Sequence, residues 1–527
     1  MASQHLDEQI SRVFNRPLTL SARLRTFVEA GRGYAHLSAV PLTYLAVSPG
    51  LLELLREFLQ PRYLSDLVGI ELSGADRHFF TMLHRTGVLV DAESPDPIHA
   101  LQTSEQQSRT LLLYPTSVCN LRCVYCHATS GPEAGPRLSH EQAIVAVDGF
   151  FDTLDDTVRA VMLGFHGGGE PTTHFDIMLT AWDHFQQRAR QGDRIAAVQT
   201  ITNGVFGPTV LETLRKPEWR VVVSYDGPRQ GAQRPTATER DSRARVVANL
   251  RALRKAGKIV TTRATLTRDG LDSLRALVDD AAEIGIHRVQ VEPASIVGRG
   301  ANLRDGPPDP LAFAEAFLDA FRYALRAGVQ LSTAAWSHPR VGNGRYCAAI
   351  SGTRALTPDG FLSACTEVGD GSNPDDPFIV GRQRLGQSLE LWPMREAYLQ
   401  SRIGYDLPDC RDCYMVDTCA GGCASRARAQ SGHTHDRDER HCIMSRHINP
   451  RLMADLADGR LLPDLGWQPM AAELDGSNSA LAGISGRLVA LVPPFARSRW
   501  NADADRRPVF LPPKDAPCFF HLPPEAE

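Results

Sequence analysis

The 527-residue chain lacks an excess of charge of either sign: 57 Lys and Arg face 61 Asp and Glu, a net charge of -4. So close a balance gives no electrostatic footing for nonspecific binding to nucleic acid or to a membrane surface. No uninterrupted apolar run approaches the ~20 residues needed to cross a bilayer. The opening MASQHLDEQISRVFNRP carries two acids and no apolar segment, so it does not read as a secretory signal. With 43% hydrophobic residues, 42 Gly and 35 Pro, the chain is neither collagenous, heptad-repeating nor disordered. No internal repeat stands out. These absences lead to the expectation of a soluble, cytoplasmic, globular protein of several domains.

Cysteine is the informative residue. Of eleven, three lie in 119–126, seven in 347–442, and Cys518 stands alone. In a reducing compartment, cysteines clustered at short spacings read first as metal ligands.

The pattern divides the chain at 1–108, 109–330, 331–450 and 451–527. In the first segment SPGLLELLREFLQP, RYLSDLVG and SGADRHFFTMLHRTG read as three short helices, the third with Ser73 and Asp76 as its cap and Gly87 as its stop. GVLVDA reads as a strand, and the order suggests a small winged-helix-like domain. Residues 1–40 show little periodicity. From 109 to 330 six strands (111–114, 161–166, 195–202, 220–225, 259–266, 289–293) alternate with helices at 139–154, 175–190, 208–215, 241–256, 270–284 and 310–327. That alternation predicts an α/β fold with parallel strands, a partial barrel whose ligands sit at the C-terminal strand ends. Residues 331–450 are irregular and Cys-rich. The Pro-rich 451–527 reads as a wrapping extension.

Cys119, Cys123 and Cys126, in CNLRCVYC, follow the first of these strands directly. Three thiolates on one loop hold three irons of a four-iron cluster and leave one iron without a protein ligand. A structural zinc site normally wants four ligands; a Cys3His site using His127 is the alternative. The full C-x3-C-x2-C spacing, with Tyr125 before the last Cys, resembles the signature of the radical S-adenosylmethionine (SAM) superfamily. One strand–helix unit later, FHGGGEPT matches that family's GGE motif at Gly168, Gly169 and Glu170. The resemblance implies that Tyr125 packs near the adenine and that the GGE segment meets the SAM amino group. It further implies that Asn203 (in TITNG) and Ser224 (in VSYDGP) line the cofactor pocket. Glu292, after the sixth strand, reads equally as a ligand contact or a satisfied buried carboxylate.

The downstream order is Cys347, Cys365, Cys410-x2-Cys413-x5-Cys419-x3-Cys423 and Cys442. Four of the last five would suit a zinc ribbon. Beside a three-Cys iron-sulfur loop, the series resembles the SPASM extension of radical SAM peptide-modifying enzymes. By position in that family Cys410, Cys413, Cys419 and Cys442 would hold an outer 4Fe–4S cluster, and Cys347, Cys365 and Cys423 an inner one. Fully ligated members have one more Cys before Cys347; here that stretch reads HPRVGNGRY, which leaves the inner cluster an open iron or His338 or a substrate group as fourth ligand. Sulfatase-maturating members place an Asp directly after the second of these cysteines, where this chain has Thr366. Glu367 is a candidate base, and an exposed loop Glu is the plainer reading. HTHDRDERHC, from His433, reads as a solvated loop rather than a metal site.

The resemblance implies SAM and three 4Fe–4S clusters as cofactors, a reducing donor such as a flavodoxin or ferredoxin, and generation of a 5'-deoxyadenosyl radical. The implied reaction is modification of a ribosomally made precursor peptide, foremost an intramolecular carbon–carbon or thioether crosslink. Dehydrogenation, epimerisation, sulfatase-type maturation or a small-metabolite substrate are alternatives, and a zinc-stabilised interaction protein is the non-enzyme rival. The first domain would bind a leader segment as an added strand; plain packing is the alternative. DNA binding is disfavoured, because the third helix carries only Arg77, His78, His84 and Arg85 beside Asp76.

Overall fold

The computed structural model describes residues 16–37, 42–68, 72–93, 110–131, 135–238, 240–336, 344–347, 349, 354–384, 388–461, 468–474, 481 and 484–492. His338 and Cys518 lie outside them. Among the described residues no helix is long and apolar enough to cross a membrane.

The chain begins with β1 (Leu18–Leu20) and an antiparallel meander of β2 (Leu24–Glu29), β3 (Arg32–Leu37) and β4 (Leu42–Val47). Helices α1 (Pro49–Glu57), α2 (Leu64–Val68) and α3 (Gly74–Arg85) follow, then β5 (Leu89–Asp91), which pairs with β1. The Ser73 hydroxyl accepts from the Asp76 N–H at 3.1 Å and the Asp76 carboxylate accepts from the Ser73 N–H at 3.2 Å, a reciprocal cap. Phe79, Phe80 and Leu83 of α3 are fully buried. The meander was hidden from periodicity for a physical reason. Its β2 strand presents Arg25 and Thr26 between apolar positions and leaves Val28 70% exposed.

Next comes the main sheet: β6 (Thr110–Leu113), β7 (Ala160–Phe165), β8 (Ile195–Thr202), β9 (Trp219–Ser224), β10 (Val260–Leu266), β11 (Arg288–Pro293) and β12 (Gln330–Ser332), joined in parallel in chain order. Crossover helices α4 (His140–Asp152), α5 (Phe175–Gln191), α6 (Pro208–Leu214), α7 (Arg243–Lys255), α8 (Leu274–Ile284) and α9 (Pro310–Arg326) link them. Strands covered on both faces carry few charges, as in the TLLL of β6, where every residue is buried. Leu112 lies beside Gly164 in the β6–β7 register, and its Cδ2 comes within 2.5 Å of where a Cβ on Gly164 would stand. A larger residue there would force the Leu112 side chain to move.

The sheet continues beyond β6 with β13 (Arg354–Leu356, parallel), β14 (Phe361–Ser363), β15 (Ile379–Gln383) and β16 (Leu389–Leu391), giving eleven strands in an open order. The Cys-rich region therefore extends the barrel's own sheet. Helices α10 (Pro393–Gln400), α11 (Ala424–Ser431) and α12 (Glu439–Ala457) complete it. Asp438 caps α12, which runs through Pro450 and past the division placed at 450.

From the C-terminal extension, β17 (Gln468–Leu474) and β18 (Gly486–Val492) form a hairpin that adds β18 to the edge of β4, so the N-terminal sheet has the order β17-β18-β4-β3-β2. This sheet is tied to the Cys-rich region. His36 donates Nε2–H to the Tyr414 carbonyl (2.8 Å), Arg25 lies 3.4 Å from the fully buried Asp417 carboxylate, and Phe27 stacks on Tyr414.

Two predictions follow from these packings. Leu488 of β18 is fully buried against the N-terminal core, so Leu488→Ala should lower unfolding stability by about 2–5 kcal/mol in chemical denaturation; a loss under about 1 kcal/mol would contradict the packing. Burial pushes the His36 imidazole from 6.5 down to about 4. It is thus neutral when folded and binds a proton more readily when unfolded. Its contribution is complete above about pH 6.5 and lost as pH falls towards 4, up to about 3 kcal/mol for such a shift. His36→Gln should flatten the pH dependence of unfolding across that window; an unchanged slope would show that His36 does not set it.

Candidate active site

The loop bearing Cys119, Cys123 and Cys126 leaves β6 and is gripped from three sides. The Cys119 N–H donates to the Gly131 carbonyl at 2.8 Å. From the segment after β7, Gly169 N–H donates to Thr116 O (3.1 Å) and Glu170 N–H to Val118 O (2.8 Å). A Cβ on Gly169 would stand 2.3 Å from Val118 O, so the approach requires glycine. From the segment after β11, Arg299 donates Nε–H to Cys123 O (2.8 Å), Nη1–H to Ser130 O (2.9 Å) and its backbone N–H to Cys126 O (2.9 Å). Gly298, at φ +60°, lies against the Cys126 and His127 carbonyls.

The sulfurs sit in a drying environment. Burial raises the Cys119 thiol to about 12, with the Glu170 charge adding to it, and the Cys123 thiol to about 11. Each thiol also feels the other two or one of them, so loading of a metal centre here releases protons. The Cys119 sulfur accepts from the Leu121 N–H (3.4 Å) and lies 3.7 Å from Asn203 Nδ2. Among the described residues no three His, Cys, Asp or Glu side chains converge on one metal ion. A four-iron cluster asks for something different, one thiolate per iron. His127 turns away from the thiols: its ring bonds the Thr366 backbone, and the charges acting on it are Glu367, Arg263 and Arg426. The residues present thus fit a cluster with three cysteine ligands and do not assemble the Cys3His alternative.

Glu170 is buried and its carboxylate is heavily occupied. Oε1 accepts from the Thr172 hydroxyl (2.6 Å), the Thr172 N–H (3.2 Å) and the Thr202 hydroxyl (2.6 Å), and Oε2 from the Asn203 N–H (2.7 Å). Burial nonetheless raises its proton affinity. Asn203 gives Nδ2–H to Asn120 Oδ1 (2.6 Å) and accepts from Val205 N–H (2.8 Å). These two residues organise the end of β8 under Cys119. Gly168 packs against Gly369 of the Cys-rich region. The Tyr125 hydroxyl bonds Asp226 Oδ2, which also accepts Arg234 Nε–H (3.0 Å), and the Arg234 guanidinium lies 5.2 Å over the Tyr125 ring. Ser224 ends β9 beside Arg263 of β10.

Inside the barrel, titratable groups from six elements face one another: His127, His166, Arg263, Glu292, Glu367 and Arg426. Glu292 accepts from the Ala334 N–H (2.7 Å) and Gln290 (3.0 Å). Glu367 is not an exposed loop residue: Arg426 donates Nε–H to its Oε1 at 3.2 Å, while Oε2 is buried without a partner. Burial, with Arg263 and His127 nearby, pushes His166 down to about 3. Tyr114 Oη, His127 Nε2, Gln199 Oε1 and Ser295 Oγ are further buried polar atoms without partners, which marks an interior built to meet polar groups.

The downstream thiols group by proximity. Cys365 is acted on by Cys423 and Cys347, and Cys419 by Cys413, Cys442 and Cys410. A cavity is lined by Cys410, Cys413, Cys419 and Cys442 together with Gly421, Arg437 and Arg446. Backbone N–H groups of Glu367 and Met415 point at the sulfurs of Cys365 (3.4 Å) and Cys413 (3.5 Å). The HTHDRDERHC segment is more than a solvated loop: Thr434 and Asp436 turn their carbonyls inward and Asp438 caps α12.

Sequence reasoning missed Arg234, Arg263, Arg299 and Arg426. Arg263 had a readable signal, an arginine at an inward position of the strand VTTRATL; the others are placed by tertiary contact alone.

Residues 113–281 match the family model described as the radical SAM superfamily. With the strand order and the three-cysteine loop, this identifies a radical SAM domain, a class that implies an enzyme using SAM and a 4Fe–4S cluster. The chain is similar to mycofactocin maturase MftC of Mycolicibacterium smegmatis, 26% identical over 348 residues that cover 62% of this chain and 81% of that protein. In fold it resembles anSMEcpe with bound AdoMet, at a TM-score of 0.53 and 15% identity, covering 66% of this chain and 99% of that one. The structure of anSMEcpe with AdoMet and the Kp18Cys peptide matches at a TM-score of 0.54 and 14% identity, with the same coverage.

Gly169→Ala tests the clamp. The added methyl should push the GGE segment off the cysteine loop and cut SAM binding at least tenfold in equilibrium dialysis; affinity within about twofold of wild type would show that the close contact is dispensable.

Proposed function

We propose that this protein is a radical SAM maturase that modifies a ribosomally synthesised precursor peptide, foremost by an intramolecular carbon–carbon or thioether crosslink. The observation that carries the reading is the clamped loop of Cys119, Cys123 and Cys126, beside which the His127 ring bonds the Thr366 backbone instead. When bound, the cluster and SAM supply a 5'-deoxyadenosyl radical able to take hydrogen from an unactivated carbon. The chain's part is to hold, orient and keep dry. Gly168, Gly169 and Glu170 shape the floor of the SAM pocket, Asn203 steadies Cys119, and Ser224 and Tyr125 line the pocket wall. The interior polar groups receive the substrate, with Glu367 Oε2 as the proposed proton acceptor.

Two auxiliary 4Fe–4S clusters are part of the proposal: an inner one on Cys347, Cys365 and Cys423, and an outer one on Cys410, Cys413, Cys419 and Cys442, in a SPASM-like region. Backbone N–H groups aimed at the sulfurs are the kind of contact that tunes such centres. An external flavodoxin or ferredoxin would supply the electron. Peptide as substrate class is supported by similarity to a protein named a maturase and by the shared fold with anSMEcpe, which was captured with a peptide. Thr366 in place of an Asp after Cys365 weighs against oxidation of the sulfatase-maturating kind. The winged-helix-like N-terminal unit is the proposed leader-binding element. Because β18 already pairs with β4, an added strand would have to use an outer edge of that sheet.

Anaerobically reconstituted enzyme should hold about twelve iron and twelve sulfide per chain and release 5'-deoxyadenosine from SAM. Cys123→Ala should abolish that release while the protein stays folded. Continued 5'-deoxyadenosine formation by the variant would refute the assignment. With peptides encoded beside the gene, mass spectrometry should show loss of two hydrogens per crosslink.

A further inference from the structure

Arg402 follows α10 and is 1% exposed. Its guanidinium makes four hydrogen bonds, all to backbone carbonyls: Nε to Thr434 O (2.7 Å), Nη1 to Ala420 O (3.1 Å), and Nη2 to Gly421 O (3.1 Å) and Asp436 O (3.0 Å). Among the described residues no carboxylate lies within ion-pair distance of it. A buried cation is costly unless an anion compensates it, and among the described residues no Asp or Glu pairs with it. What surrounds it are thiols of both downstream sets: Cys347 and Cys423 of one, Cys410 and Cys419 of the other. Arg402 Nη2 and the Cys410 sulfur stand 3.2 and 3.5 Å from the point a Cβ on Gly421 would occupy.

The segment that Arg402 grips joins the two sets. Between Cys419 and Cys423 lie three successive left-handed residues, Ala420 (φ +47°), Gly421 (φ +78°) and Gly422 (φ +75°). This turn aims the Ala420 and Gly421 carbonyls at the guanidinium and sends Cys419 to the outer set and Cys423 to the inner. The planar fork spans this turn and the Thr434–Asp436 segment at once, which a lysine's point charge does not reproduce.

We infer that Arg402 is a positioning residue and the shared counter-charge of both auxiliary clusters, raising the reduction potential of each. The inference rests on the proposed presence of those clusters and adds to it. A cysteine-ligated four-iron cluster is anionic, and one-electron reduction adds a further negative charge. A buried cation close to both centres favours the reduced state of both.

The test is an EPR-monitored redox titration of anaerobically reconstituted full-length wild type, Arg402→Met and Arg402→Lys, with iron counted in each. In Arg402→Met the ratio of reduced to oxidised auxiliary cluster at fixed potential should fall about tenfold for both centres, about 59 mV for one electron. The SAM-site cluster should not move, and Arg402→Lys should fall between. Unchanged auxiliary potentials with full iron content, or a shift confined to one centre, would overturn the inference. Wild type holding only about four iron per chain would instead overturn the reading beneath it. Should Arg402→Met lose its clusters, Arg402→Lys decides: near-native potentials support the charge role, and a full tenfold shift despite the retained charge refutes it.

Discussion

The structure turns on the approach of two backbones. Gly169 can lie against Thr116 and Val118 only because it has no Cβ, and through that contact the second strand's loop fixes the first strand's cysteines. Arg299 and Gly298 complete the grip from the segment after β11. Three loops from distant points of the sequence thus meet at the C-terminal strand ends, where parallel α/β sheets place their chemistry. Desolvation raises the proton affinity of the Cys119 and Cys123 thiols, so the fold itself disfavours free thiolates at those two positions.

A second coupling runs the length of the chain. The C-terminal hairpin closes the edge of the N-terminal sheet, and that sheet reaches the Cys-rich region through His36, Arg25 and Phe27. Tyr414, which receives two of these contacts, directly follows Cys413. The N-terminal unit and the outer thiol set are therefore mechanically adjacent. Between the SAM-side loop and the inner thiol set lies the interior where Arg263, Glu292, Glu367 and Arg426 meet. Two arginines balanced by two carboxylates keep the enclosed space polar and leave Glu367 with one free oxygen.

The parallel strands were legible as short runs rich in apolar and β-branched residues between helical segments. β8 lies at the residues its composition marks, 195–202, and the other five agree to within a residue or so. The cap at Ser73 was readable because its partner Asp76 lies only three residues on in sequence. Of the other strands, β5 was readable in GVLVDA, whereas β13, β14 and β16 were hidden because they are three residues long, and β2 because it alternates poorly where Arg25 reaches a partner far away in sequence. The cysteines announced themselves by spacing. Arg234, Arg263 and Arg402 did not, since arginine is usually a surface residue and only the folded chain shows each one enclosed. Glu367 was misleading in the opposite sense, reading as a surface acid while being tied to Arg426 inside.

The central proposal is a metal centre at Cys119, Cys123 and Cys126 that offers one iron to SAM. The direct measurement is Mössbauer spectroscopy of protein reconstituted with iron-57, before and after SAM is added. One iron of a four-iron cluster should change its isomer shift on SAM addition, and this response should vanish in Cys126→Ala. A spectrum insensitive to SAM, or one without cluster iron, would contradict the account.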